Sequence, residues 1–469
     1  MIQNNNPTNP LVPAPPSHQH GAYLEWLRAS LERLLQDKDY EAAKAVLVAA
    51  QPADIAEAIE QLPNQMQAIA FRLLSKAEAI EVYEYLNSGL QQLLIEDFKQ
   101  PEVQAIVDGM SPDDRVRLFD ELPAKIVRRI YQEMTPEERA ATSLLLGYQP
   151  DTAGRIMTPE YIGLKEEQTV SEALEKIRRC ANQAETINNL YVMDGQRHLT
   201  GVLSLRELVM ALPDRLIGDL MTRNLVFAHT DTDQEEVARL IQRYDFVALP
   251  IVDSEQRLVG IVTIDDVLDV LEEETTEDIY TLGGVQSGGD AYFQSNLFSV
   301  ARKRVAWLMV LLVTNTLTSA VIRSQEDVLE QVVTLAAFIP LLIDAGGNVG
   351  AQSSTVVIRG LNTEEHRMKQ FFWVIRRETL AGVLLGAMLG LVVFVWATVL
   401  QGDALVAIAV GVSLFAISIL ASLAGSALPY LFNKLGLDPA LMSAPFITTA
   451  VDVLGVLIYL NVARTVIGI

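Results

Sequence analysis

The sequence predicts a multidomain membrane protein: an all-α superhelical N-terminal domain, a tandem pair of α/β units, and an α-helical membrane domain of five spans. Three observations carry this prediction. Charge is segregated, with 49 acidic and 25 basic residues in positions 1–300 but 10 and 11 in positions 301–469. A set of short motifs between residues 155 and 275 occurs twice in the same order. Beyond residue 300 lie five apolar runs, each reaching the roughly 20 residues a helical span needs.

Residues 1–22 are polar and proline-rich, without the charged-then-apolar pattern of a signal peptide, and read as a disordered tail. Residues 23–150 read as an acidic helical superhelix. Apolar residues recur at three and four, as in Leu24, Leu27, Leu31 and Leu34. Prolines at Gln51-Pro52, Leu62-Pro63, Ser111-Pro112, Leu122-Pro123 and Thr135-Pro136 mark fresh helix starts. Short helices at a nearly regular spacing suggest stacking. The anionic first 300 residues repel nucleic acid and attract cations. Cys180 is the only cysteine, so no disulfide framework exists. The five histidines form no H-E-x-x-H, and neither C-x-x-C nor a serine-nucleophile motif occurs, so no enzyme is expected.

From Arg155 the pattern changes and repeats. Met157-Thr158-Pro159 is echoed by Met221-Thr222, and Gly201–Leu208 by Gly260–Val267. Each unit, 151–213 and 214–275, reads helix, strand, turn, strand, helix, with strands at Asn189–Met193 and Val247–Val252. This closely resembles a tandem pair of cystathionine-β-synthase (CBS) domains. The resemblance implies a nucleotide site, with ATP a possible ligand, at Ser204 with Glu207 and at Thr263 with Asp266. An adaptor with an empty cleft stays equally open.

The last helix of the second unit and the linker at 276–300 carry an acidic stripe. Asp266, Asp269, Glu273 and Glu277 fall at helical i, i+3 and i+4 spacing, and no Lys or Arg lies in 265–301. Like charges so placed destabilise a helix by about 0.2–0.5 kcal/mol a pair, so a divalent cation is the economical partner.

The spans fall near 303–322, 328–358, 377–400, 404–432 and 440–463. Nine basic residues on one side, among them Arg302, Arg359, Arg367, Lys369, Arg376 and Lys434, face only Arg323 and Arg464 on the other. That bias puts the N-terminus in the cytosol and the C-terminus outside the plasma membrane. The second span contains Pro340-Leu341-Leu342-Ile343-Asp344-Ala345-Gly346-Gly347-Asn348-Val349-Gly350-Ala351-Gln352. Three glycines and Asp344, Asn348 and Gln352 at membrane depth predict a break in the helix lining a polar path. Glycines alone would equally let two helices pack closely. Asp452, after Thr448 and Thr449, lies midway along the fifth span, where a carboxylate costs about 2.5–3.5 kcal/mol and marks a functional site. Pro445 and Gly455 flank it and are expected to bend that helix.

The order of these parts, with P-x-x-x-x-x-G-G-N-x-G-x-Q met from Pro340 to Gln352, resembles the MgtE family of magnesium transport channels. Gln149–Pro159 and Asp438-Pro439-Ala440 resemble it too. The resemblance implies a homodimer in the lipid bilayer with a pore lined by the second and fifth spans, an ion-binding aspartate at Asp452, and entry of hydrated Mg2+. It also implies regulatory Mg2+ ligands at Glu81, Asp113, Asp233, Glu235, Asp245, Asp266, Asp269, Glu274, Glu277 and Asp278. Asp344 is an acid beyond the family's usual pattern, and Arg117 and Arg243 sit near positions where acids occur. Another divalent cation, Co2+ or Mn2+, and a non-conducting Mg2+ sensor are the alternatives.

Overall fold

A computed structural model describes residues 20–97, 100–285, 297–363, 371–435 and 444–468. The first nineteen residues, linker residues 286–296, the stretch holding Arg367 and Lys369, and Asp438-Pro439-Ala440 lie outside the described residues. The chain divides into two units, Met1–Glu272 and Glu273–Ile469.

The first unit opens with short helices running from α1 (His20–Gln36) to α10 (Pro136–Leu146). Pro52, Pro112 and Pro136 each occupy a first helical position, where a missing N–H costs nothing. Ser111 and Thr135 cap α8 (Pro112–Glu121) and α10 by accepting the Asp114 and Glu138 N–H groups. Leu27, Leu31, Leu34 and Leu35 of α1 are buried with Ile59, Phe71 and Tyr83 in a core that follows the stack. The α8–α10 corner is tied by Arg115, which is fully buried. Its guanidinium donates to the carbonyls of Val107 (2.7 Å) and Met110 (2.6 Å), and to the Thr142 hydroxyl (3.1 Å). It also pairs with Glu138 at 2.6 Å.

Two three-stranded sheets follow. In the first, β1 (Gly163–Leu164) runs parallel to β2 (Asn189–Met193), which pairs antiparallel with β3 (Leu199–Ser204). In the second, β4 (Ala228–His229), β5 (Ala248–Val252) and β6 (Leu258–Thr263) repeat that order. Even the register shift recurs, at Val192/Met193 and at Ile251/Val252. The echoed Met-Thr pairs are exchanged between the repeats. Thr158, which precedes the first sheet, bridges Ile261 of the second, and Thr222, which precedes the second, bridges Val202 of the first. Met157 is buried in the second repeat's core and Met221 in the first's. Gly260 and Gly201 make room for them: a Cβ there would stand 2.7 Å and 2.2 Å from the respective methionine sulfur. Val116 of α8 and Leu145 of α10 share the second repeat's core with Val237, Leu249 and Val262. The helical domain therefore packs on the second sheet unit.

The last helix of the first unit, α15 (Ile264–Leu282), continues into the second unit. It carries the predicted acidic stripe. Among the described residues, five helical segments are long and apolar enough to cross a membrane: Val300–Ser324, Val333–Leu361, Phe371–Gln401, Ala404–Lys434 and Pro445–Ile467. The second differs from expectation. It does not start as one helix at 328, because a short helix (Glu326–Gln331) and a 3-10 turn (Val333–Phe338) precede α18 (Ile339–Thr363). The Tyr459 hydroxyl on α21 (Ala444–Ile467) donates to the Leu335 carbonyl at 2.9 Å and holds that turn. α21 stays helical through both Pro445 and Gly455. Pro445 lies in the first turn of α21, where it is harmless, and the helix runs on unbroken.

Candidate ion pathway and acidic cluster

The polar residues singled out in the membrane unit lie on two packed helices, α18 and α21. α18 passes through Pro340–Gln352 without interruption, so the expected break at Gly346–Gly350 does not form. The glycines are spent on contact instead. A Cβ on Gly346 would stand 2.4 Å from Ile417, one on Gly347 3.0 Å from Thr448, and one on Gly350 2.9 Å from Ile447. On α20 (Ala404–Lys434), a Cβ at Gly425 would meet the Gly350 carbonyl oxygen at 2.3 Å. Backbones this close are how small residues hold membrane helices together without a hydrophobic driving force. Because the helix keeps its own hydrogen bonds, the glycine carbonyls are not released as cation ligands.

The same contacts set α18 antiparallel to α21: Gly346 faces Val451 while Gly350 faces Ile447. Asp344, one turn before Gly347, is thus carried toward Asp452. Asp344, Asn348 and Gln352 follow at i, i+4 and i+8 and are all exposed on one face of α18. The Asn348 amide donates to the Asp344 carboxylate at 3.4 Å. Asp452 is half-buried beside them. Thr448 and Thr449 both donate to the Pro445 carbonyl at 2.9 Å, which leaves their oxygens as acceptors only.

The first unit brings together a different set of acids. Asp113 on α8 is buried, and its Oδ1 has no hydrogen-bond partner. Burial, then the nearby charge of Asp266, pushes its carboxyl well above the usual range. Asp266 is pushed up to about 7 by burial, although the Thr263 hydroxyl donates to it at 2.5 Å. Glu84 on α5 (Lys76–Glu84) keeps part of its surface in water. Crowding by neighbouring groups still removes enough solvent, with the charges of Asp114, Glu185 and Glu81 added, to push it up to about 8. Asp114, Glu160 and Glu185 are raised for the same reason, desolvation first. An orphaned buried carboxylate oxygen among mutually repelling acids fits a cation. Yet among the described residues no three acids, histidines or cysteines stand close enough to ligate one ion directly. A hydrated Mg2+, which keeps several waters, suits such spacing better than a stripped ion.

Sequence reasoning named Asp113 and Asp266 but missed Glu84, Asp114, Glu160, Glu185 and Asp265. Glu185 lies in a loop without a motif, and only the fold brings it here. Several named residues stand apart. Asp233 caps the start of α14 (Gln234–Tyr244), Glu235 pairs with Arg239, and Asp245 ends the same helix in the left-handed region at φ 52°. Eleven residues of helix, about 16 Å, separate Asp233 from Asp245. Arg243 stacks over the Tyr244 ring. Glu81 and Asp269 border the cluster: Glu81 is exposed on α5 and its charge acts on Glu84, while Asp269 acts on Asp114 and pairs with Arg117. Glu274, Glu277 and Asp278 lie on α15 within the second unit. At the nucleotide candidates, the Ser204 hydroxyl donates to Glu207 at 2.7 Å in a capping box, and Thr263 donates to Asp266.

Comparison with known proteins matches the helical domain, the sheet pair and most of the membrane unit. The family model described as a divalent cation transporter matches residues 339–462. The MgtE intracellular N domain matches 50–151, and the CBS domain matches 153–214 and 217–273. The magnesium transporter MgtE of Thermus thermophilus is 41% identical over 94% of this chain and 98% of its own. That of Bacillus subtilis is 35% identical over 92% and 96%. The crystal structure of the cytosolic domain of the Mg2+ channel MgtE in complex with ATP has 40% identity and a TM-score of 0.50. It covers 52% of this chain and 99% of that one. Two helices packed through a Gly-Gly-Asn run, an acid midway along the last span, a CBS pair and an acidic helical domain thus occur together for one reason: the chain belongs to the MgtE family of magnesium transporters.

Proposed function

We propose that the protein is a Mg2+ channel of the plasma membrane, formed at the interface of a homodimer and closed by intracellular Mg2+. The observation that carries this reading is the polar face of α18, with Asp344, Asn348 and Gln352 exposed beside Asp452. Lipid does not tolerate a carboxylate and two amides on an open helix face, so that face must be covered. A second copy covers it with the same residues and turns two faces into one lined path. Paired Asp452 carboxylates hold Mg2+ with its waters, since magnesium sheds them reluctantly. The membrane potential drives entry: a divalent ion gains about 4.6 kcal/mol over 100 mV. The N-terminus and the acidic cluster lie in the cytosol, where Mg2+ bridges Asp113, Asp266 and their neighbours, docks the helical domain on the CBS pair, and leaves the linker over the pore mouth. Low Mg2+ lets the acids repel and opens the path.

The CBS pair offers Ser204, Glu207, Thr263 and Asp266 to an adenosine nucleotide. The solved relative bound to ATP supports that reading, although these side chains are already bonded to each other here. Uptake of Mg2+ into vesicles holding wild type or Asp452→Asn tests the function. Loss of uptake in the variant supports the channel. Full uptake in the variant removes the pore assignment, and a preference for Co2+ or Mn2+ in competition reassigns the cargo. A wild type that binds Mg2+ but carries no flux would be a sensor.

A further inference from the structure

Arg117 is the one residue of α8 that answers the surrounding acids with a positive charge across to α15. It lies one turn after Asp113, and its charge acts on Asp114. Its guanidinium pairs with the carboxylate of Asp269. At the end of the same helix, Asp120 pairs with Arg155 through two nitrogens, one of them at 3.0 Å. Next to Arg117, Val116 is buried in the second repeat's core. α8 is therefore fixed at three points, two of them electrostatic.

A guanidinium differs from a dissolved cation in two respects. It is charged at every accessible pH, and its local concentration is set by the chain and not by the solution. It acts when no metal is present. We propose that Arg117 is a built-in substitute for part of the cationic charge that docks the helical domain on the second CBS unit, so that less Mg2+ is needed to close the channel. The inference rests on the gating reading above and deepens it. Without Arg117, Asp269 loses its partner, and Asp113, Asp114, Asp265, Asp266 and Asp269 face one another with one positive charge fewer. Metal must then supply what the side chain supplied. The pair is about half exposed, so its contribution is moderate and screened by salt. That exposure also means that truncation leaves no cavity and the variant folds.

The test uses the full-length protein in detergent, with protease protection of residues 1–300 followed against Mg2+ for wild type, Arg117→Ala and Arg117→Lys. The Mg2+ midpoint is expected to rise about threefold to tenfold in Arg117→Ala, matching roughly 0.7–1.4 kcal/mol by the tenfold-per-1.4 relation. Arg117→Lys, which keeps the charge, falls nearer wild type. A wild type protected at all Mg2+ levels, with Arg117→Ala becoming Mg2+-dependent, supports the role of Arg117 and overturns Mg2+ gating of the wild type. Equal midpoints in wild type and Arg117→Ala overturn it and leave the gate standing. No Mg2+ dependence in either protein overturns both.

Discussion

The closest approach in the membrane unit gives the sharpest test of how the pathway is held. In Gly425→Ala, the new methyl would lie 2.3 Å from the Gly350 carbonyl oxygen and 3.2 Å from Ser353 Cβ. Ordinary contact begins near 3.4 Å, so α20 and α18 must separate by about 1 Å. Neither atom is a movable side-chain tip: the Gly350 oxygen belongs to the helix backbone, and Ser353 Cβ is fixed directly to it. Overpacking typically costs about 1–3 kcal/mol, and a backbone-against-backbone clash belongs at the upper end. The shift falls on the turn of α18 that carries Asn348, two turns from Asp344, so the pathway should suffer along with the fold. Thermal unfolding in detergent and Mg2+ uptake in vesicles read the two effects. We expect a lowered unfolding midpoint and at least a severalfold loss of flux. Gly195→Ala, where nothing lies within 4 Å of the added atom, is the neutral control. Wild-type unfolding and flux in Gly425→Ala would refute the packing argument.

Three further outcomes are expected. Asp344→Asn should keep conduction but raise the half-saturating Mg2+ concentration well over tenfold, because a unit charge and a divalent ion at roughly 10 Å and an effective dielectric near 20 interact by about 3.3 kcal/mol; unchanged saturation curves would exclude it from the ion site. Arg115→Met should destabilise the helical domain by about 3 kcal/mol in denaturant unfolding, since it removes four hydrogen-bonding contacts and strands the Glu138 partner; a change under about 1 kcal/mol would contradict the hub role. Burial pushes Asp266 up to about 7 in the folded state, and lost solvent with crowding by Asp114, Glu185 and Glu81 raises the more exposed Glu84 as well, against about 4 for either when unfolded. The folded state therefore holds more protons than the unfolded state between pH 4 and 8. Metal-free stability of the first unit should fall as pH rises through that window, and Mg2+ should flatten the slope. Stability that climbs from pH 5 to 8 in a chelator would count against the cluster.

Much of the architecture is legible in the residues alone. Pro52, Pro112 and Pro136 announce helix starts because the first turn accepts a residue without an N–H at no cost. The doubled motif predicts two sheets of one topology. The Gly346–Gly350 run was ambiguous in principle. A glycine that breaks a helix and a glycine that admits a neighbour look alike until the neighbour is known. Here the neighbours, Ile417, Gly425, Ile447 and Thr448, are far along the chain. The acidic cluster was half legible for a related reason. Asp266 belongs to a readable helical stripe, whereas Glu185 reaches the cluster from a loop, and Asp233 and Asp245 are taken up as helix ends.

The exchanged Met157 and Met221 segments have a mechanical outcome. A cut between the repeats, near residue 215, would strip a methionine from each core and a bridge from each sheet. Neither half is a self-sufficient piece, so fragments ending or beginning there should fail to fold singly. Strain entering at one repeat is felt at once by the segment that threads the other. The pair should therefore transmit force as one stiff block, with no slack between its two clefts.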